Sequence, residues 1–202
     1  GRCDRSNGDQ PEHLAEARRP EADAAHCADR RGAADQAGRI RGMARPARKR
    51  GGREYLRKTP VFDLATTLPL TERTVKEAGL EGRIALESGD FNRDSLGGPY
   101  DVVLMSDILH YQNLATNAAL VKKIHAHLNP GGRLVIKDRF LDASGTSPAW
   151  TAAFAVHILV NTEQGGCYRT AEAMQWMHDG GYTSVEEIER TAVVQGFKPQ
   201  AE

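Results

Sequence analysis

His110 follows a short apolar run in Ser106-Asp107-Ile108-Leu109-His110-Tyr111. An imidazole at the end of a buried strand can serve as a general base, because its ordinary pKa lies near working pH. A partly exposed structural histidine is the competing account. His125 and His127 stand near the end of a helical stretch beside Lys122 and Lys123, which suits a charge at a helix terminus. His157 lies inside an apolar helical stretch and faces either a pocket or the core. Carboxylates close the other apolar runs: Asp63 in Val61-Phe62-Asp63-Leu64, Asp90 in Ser88-Gly89-Asp90-Phe91, and Asp138 after Leu134-Val135-Ile136-Lys137. An acid at a strand end can accept both hydrogen bonds of a ribose diol, and Asp90-Phe91 pairs an acceptor for an exocyclic amine with an aromatic face for a purine. Each Asp taken singly is more often a cap or turn residue; their repetition at strand ends is what points to a ligand.

The elements that must position these residues are legible from Thr59 onward. Compact apolar runs predict strands over Thr59–Asp63, Arg83–Ser88, Asp101–Ser106 and Gly132–Asp138. Helical spacing predicts a helix over Leu70–Leu80. A second helix carries Leu114, Val121, Ile124 and Leu128 on one face and ends at Asn129-Pro130-Gly131-Gly132. Ser147-Pro148 reads as a cap with proline at the first helical position, opening a helix to about Thr162. A further helix over Thr170–Asp179 ends at Gly180-Gly181, and Ser184–Arg190 with Thr191–Lys198 would form a terminal antiparallel pair. Strand and helix in alternation predict an α/β fold with a parallel sheet, whose ligands bind beyond the carboxyl ends of the strands.

The 202 residues balance 27 Lys and Arg against 27 Asp and Glu, but the balance hides two unlike parts. Residues 1–58 hold fifteen basic and nine acidic side chains, and their only large apolar residues are Leu14, Ile40, Met43, Tyr55 and Leu56. So few cannot offset chain entropy. Two readings of residues 1–58 are open: a disordered basic segment, or the Arg-, Ala- and Gly-rich text of a GC-rich gene translated out of frame. Residues 59–202 carry the acidic excess and the apolar texture of a folded domain. The longest apolar run, Ala152–Val160, is too short to span a membrane, and no charged-then-apolar leader opens the chain. Cys3, Cys27 and Cys167 form no metal-ligand spacing. The expectation is a soluble, cytoplasmic protein without a metal site.

From Val61 to about Lys198 the sequence resembles the catalytic domain of class I S-adenosylmethionine-dependent O-methyltransferases of the plant caffeate and hydroxyindole type, which also includes bacterial polyketide-tailoring enzymes. The resemblance rests on Val61-Phe62-Asp63-Leu64, Ser88-Gly89-Asp90-Phe91, Asp101-Val102-Val103-Leu104 leading to Ile108-Leu109-His110, Asn129-Pro130-Gly131-Gly132-Arg133-Leu134, and Gly165-Gly166 with Arg169-Thr170. It implies a Rossmann-like sheet ending in an antiparallel hairpin, with S-adenosylmethionine as cofactor. Asp63 would bind the ribose hydroxyls, with Leu64 beside it; Asp90 and Phe91 would hold the adenine, and Ser106 would border the same site. His110 would be the base and Asp138 its carboxylate partner, while Phe154 and His157 would line the pocket of a small hydroxyl substrate. The family also implies a homodimer.

The sequence departs from that pattern in three places. No apolar strand with a glycine-rich turn lies roughly 20 residues before Asp63, the usual spacing in such folds, so a normal first strand is not visible and the sheet would lose a middle member. Tyr111 and Gln112 replace the acidic-aromatic pair that commonly follows the histidine, and Tyr168 stands where many members carry a second carboxylate. Two other classes of function therefore stay in view: a non-catalytic, methyltransferase-like partner subunit, and a nucleic-acid binder acting through Arg39–Lys58. That arm is rich in phosphate-neutralising charge but offers one aromatic residue, Tyr55, for stacking.

Overall fold

The computed structural model describes residues 59–201. The expectations for residues 1–58, the basic segment and its nucleic-acid reading included, lie outside the described residues.

Strands β1 (Thr59–Asp63) and β2 (Ile84–Ser88) pair in parallel, with helix α1 (Leu68–Glu77) crossing between them. Strands β3 (Tyr100–Ser106) and β4 (Leu128–Lys137) also pair in parallel, joined through helix α2 (Leu114–Ala126). Helices α3 (Ala149–Asn161) and α4 (Thr170–Asp179) follow, then β5 (Thr183–Glu189) and β6 (Val193–Phe197). The last two form the antiparallel pair expected from the sequence, and β6 pairs antiparallel with β4 as well.

Local sequence explains the element ends. A proline in the first turn opens α1. Asn113 caps α2 by accepting the Thr116 N–H at 2.9 Å. Arg169 opens α4, where the Glu172 carboxylate accepts the Arg169 N–H at 2.7 Å. Helix α1 runs over Leu68–Glu77 where Leu70–Leu80 was expected, and three further details differ from expectation. Pro148 stays extended and caps α3 from outside, so the helix starts at Ala149. Leu114, directly after the α2 cap, faces solvent rather than the core. Leu128 is buried as expected, but as the first residue of β4: it pairs with Tyr100, and the register then slips before Val102 meets Arg133. Asn129-Pro130-Gly131-Gly132 is thus an irregularity within a long strand pairing, not a separating turn.

The core lies where β3, β4 and β6 pack on α2 and α4, through Met105, Val121, Ile124, Leu134, Ile136, Met177 and Val194. Among the described residues the strands form two sheets, β1-β2 and β3-β4-β6-β5. Among these residues β1 pairs on one side only, and so does β3. The break falls where the missing first strand was expected, and Val102 and Leu104 of β3 remain exposed at 48% and 44%.

Candidate active site

The parallel pairing of β3 and β4 brings their carboxyl ends together, and the two residues expected to cooperate meet there. His110 sits in a single 3₁₀ turn, Leu109–Tyr111, just beyond β3, and Asp138 follows β4. His110 Nδ1 lies 2.7 Å from Asp138 Oδ1, and both side chains are 3% exposed. Asp138 also accepts the Leu109 N–H at 2.9 Å through Oδ2 and the Arg139 N–H at 2.7 Å through Oδ1. A carboxylate held by two backbone donors is fixed in orientation. With the Nδ1 proton directed at that carboxylate, the lone pair of the neutral imidazole is on Nε2.

The turn carrying His110 is held from behind by a polar network. Asn117, fully buried in α2, donates to the Leu109 carbonyl at 3.0 Å and accepts from Gln112 Nε2 at 3.1 Å. The Tyr168 hydroxyl donates to the Gln112 carbonyl. Gly166 N–H donates to the His110 carbonyl at 3.0 Å. A Cβ on Gly165 would overlap that same carbonyl oxygen, so only glycine fits there. The Gly165-Gly166 pair thus owes its place to the approach of one backbone to another. Asn117 and Gln112 were missed as supports; a lone asparagine on the apolar face of α2 was the available signal. Tyr168 does not join the His110–Asp138 pair as a carboxylate would: burial, with Glu172, pushes its phenol up and keeps it a donor.

Phe154, expected to line a pocket, stands edge-on to His110 with ring centres 5.1 Å apart, and Trp150 stacks on Phe154 at 5.4 Å. His157 stacks on Phe154 at 6.1 Å and is exposed, not in the core. Tyr111 lies against His110 at 4.4 Å and is 60% exposed.

The residues expected at a nucleotide are distributed along the same strand ends. Gly89 N–H donates to the Asp63 carbonyl at 3.0 Å, which sets Asp63 and Asp90 side by side at the carboxyl end of β1 and β2. Asp63 Oδ1 accepts the Leu64 N–H at 2.7 Å; among the described residues its Oδ2 has no partner. Asp90 closes its own turn, accepting the Asn92 N–H at 2.9 Å with Arg93 at 3.5 Å. Phe91 is partly buried against the core, and its carbonyl accepts from Lys123 Nζ at 2.9 Å. Ser106 donates to Asp107 at 2.9 Å, and Lys137 pairs with the same carboxylate. Burial pushes the Asp107 carboxyl up, but the hydrogen bond and charge of Lys137, with Ser106 and Arg139, outweigh it and hold the group below its ordinary value. Among the described residues no three His, Cys, Asp or Glu side chains gather as a metal site, and no helix is long and apolar enough to cross a membrane.

A parallel α/β arrangement with a histidine–carboxylate pair at its strand ends agrees with the similarity to known proteins. Residues 54–183 match the family model of the O-methyltransferase domain, and the chain belongs to that family. It is 33% identical over 142 residues to the tetracenomycin polyketide synthesis 8-O-methyltransferase of Streptomyces glaucescens, covering 70% of this chain and 40% of that one. It is 30% identical over 128 residues to the 3-hydroxy-5-methyl-1-naphthoate 3-O-methyltransferase of Streptomyces sahachiroi, covering 63% and 37%. The structure superposes on an O-methyltransferase family protein from Burkholderia thailandensis with a TM-score of 0.65 and 26% identity, covering 72% of this chain and 45% of that one. The chain therefore spans less than half the length of these relatives.

Proposed function

We propose that this chain carries the proton-accepting centre and part of the cofactor cradle of an enzyme that methylates a hydroxyl of a small aromatic molecule. The observation that carries the reading is the buried His110–Asp138 pair at 2.7 Å. His110 Nε2 takes the acceptor's hydroxyl proton, and Asp138 holds the imidazole in the required tautomer and stabilises the imidazolium that results. Phe154 and His157 position the acceptor's ring. The two Streptomyces relatives, by their names, act on a polyketide and on a hydroxynaphthoate, and acceptors of that kind suit an aromatic wall.

The residues present fit S-adenosylmethionine in part. Asp63 would take the ribose hydroxyls, with Leu64 beside it, while Asp90, Phe91 and Ser106 would border the adenine. No glycine turn for the methionine part is found among the described residues. When bound, the cofactor supplies a methyl group already activated on a sulfonium. The test is calorimetric titration with S-adenosylmethionine, followed by mass-spectrometric detection of methyl transfer to a panel of phenols. Binding and transfer that disappears in His110→Ala is the expected result, and transfer unaffected in that variant would refute the assignment.

The break between β1 and β3 among the described residues favours a second reading, in which the chain is a non-catalytic, methyltransferase-like subunit. No binding of S-adenosylmethionine up to millimolar concentration would select it. For the homodimer the support is an apolar surface on α3, where Val156, Leu159 and Val160 are exposed; sedimentation at two concentrations tests it.

A further inference from the structure

Arg139 is the one cation that touches the aromatic wall among the described residues, and the proposed methyl transfer does not use it. Its guanidinium lies 4.6 Å from the centre of the Trp150 ring and 4.4 Å from that of Phe154. These two rings are stacked on each other along α3, and Phe154 in turn stands edge-on to His110. Arg139 and His110 therefore rest against the same ring, each within about 5 Å of its centre. The Arg139 side chain remains 40% exposed, and its nearest carboxylate, Asp107, is 4.0 Å away and bonded more closely by Lys137. Lys137 thus takes up Asp107 more closely, and Arg139 is held chiefly by its aromatic platform. A guanidinium in that state keeps N–H donors directed away from the rings and suits a planar anion, which it can bind in bidentate fashion.

We infer that Arg139 selects acceptors that carry a carboxylate, or a comparably acidic oxygen, on the same fused ring system as the hydroxyl to be methylated. The inference rests on the reading that Phe154 and His157 border the acceptor. The ring of such a compound lies along Trp150 and Phe154, its anionic group meets Arg139, and its hydroxyl points to His110 Nε2. Arg139 also explains why Trp150, 61% exposed, is held in a stack rather than left free: the cation fixes both indole and phenyl rings by cation–π attraction.

The experiment compares 3-hydroxy-2-naphthoate with uncharged 2-naphthol as calorimetric ligands of the full chain, of Arg139→Gln and of Arg139→Lys, each variant first checked by thermal melting. A charge-assisted hydrogen bond predicts that the wild-type chain binds the naphthoate about 10- to 100-fold more tightly than the naphthol. Arg139→Gln should remove that preference by lowering naphthoate affinity well beyond any loss for the naphthol, and Arg139→Lys should restore part of it. Equal affinity of the two compounds for the wild-type chain, or an equal loss for both in Arg139→Gln, would overturn the role of Arg139 and leave the acceptor site standing. Failure of both compounds to bind a chain that still binds S-adenosylmethionine would remove the acceptor site and this inference with it.

Discussion

The backbone of Gly165 is pressed against the carbonyl of His110, with no room for a side chain between them. Ile158 of the preceding helix and Thr162, which caps it, close the same space, whereas a Cβ on the neighbouring Gly166 would meet nothing within 4 Å. Two adjacent glycines therefore have different tolerances. Gly165→Ala must push the His110 turn or the end of α3 aside, costing about 1–3 kcal/mol as overpacking usually does. Gly166→Ala should leave stability almost unchanged. Urea unfolding of both variants checks this, and equal effects would show that the pair is not a packing device.

If His110 takes the proton and Asp63 holds the ribose, mutations at the two places separate in their kinetics. His110→Ala should lower turnover by about 10²–10⁴-fold with little change in cofactor affinity, while Asp63→Ala should act mainly on affinity. Asp138→Asn removes the charge and turns one of the two accepting oxygens into a donor, so that either the Leu109 N–H or the His110 and Arg139 donors face an N–H, and its effect on turnover should not add to that of His110→Ala. Measured kcat and cofactor Kd for the three single variants and the double variant decide the matter, and a uniform loss of affinity would contradict the division of roles.

Asn117 offers a test of the support rather than the site. Fully buried and bonded to both Leu109 and Gln112, it cannot be replaced by leucine without leaving the buried Gln112 Nε2 unpaired and the Leu109 carbonyl with the Gln112 N–H alone. Asn117→Leu should cost about 1–3 kcal/mol by denaturant unfolding and should lower turnover further by releasing the His110 turn. A stable variant with normal turnover would show that the turn holds itself.

The site was readable where chain chemistry is local and unreadable where it depends on burial. His110 and Asp138 could be picked out because each follows an apolar run of recognisable period, and parallel pairing then brings strand ends together, whereas Phe154 entered only through the family resemblance. Asn117 and Gln112 follow no apolar run: the one hint was an asparagine on the apolar face of a helix, and an amide reads as a surface residue until the elements packed around it are known. The same limit explains β4, whose start at Leu128 was read as helix because an apolar residue beside a proline-glycine run fits either element. The free side of β3 was legible only as a departure from pattern, and among the described residues the exposed Val102 and Leu104 are its structural counterpart.

Cys167 lies beside the site without belonging to it. Burial, with the charge of Asp138 added, pushes its thiol up to about 11, partly offset by Arg139. At pH 8 the thiolate fraction is then about one in a thousand, against roughly a quarter for a free cysteine. Alkylation by iodoacetamide at Cys167, followed by peptide mass spectrometry, should be slow below about pH 9 and rise steeply above it. Rapid modification at pH 7 would show an accessible thiolate and remove the burial argument.

His125 should make the fold sensitive to mild acid. Its imidazole stands edge-on to Tyr182 at 4.9 Å, Nε2 is buried without a hydrogen bond, and Lys198 reaches the His125 carbonyl at 3.0 Å. Burial first, and the Lys198 charge second, hold its pKa below the ordinary 6.5, with the Gly181 backbone acting weakly the other way. A histidine whose folded pKa is depressed contributes stability that is fully present above the unfolded value and is lost as pH falls through the folded one. The unfolding midpoint should therefore drop between pH 7 and pH 5, a window well above the one in which the Asp107 carboxylate titrates. His125→Phe keeps the ring contact with Tyr182 and removes the proton, so its midpoint should change less over that range. Parallel pH profiles of the wild-type chain and the variant would contradict the assignment, because the acid sensitivity would then belong to another group.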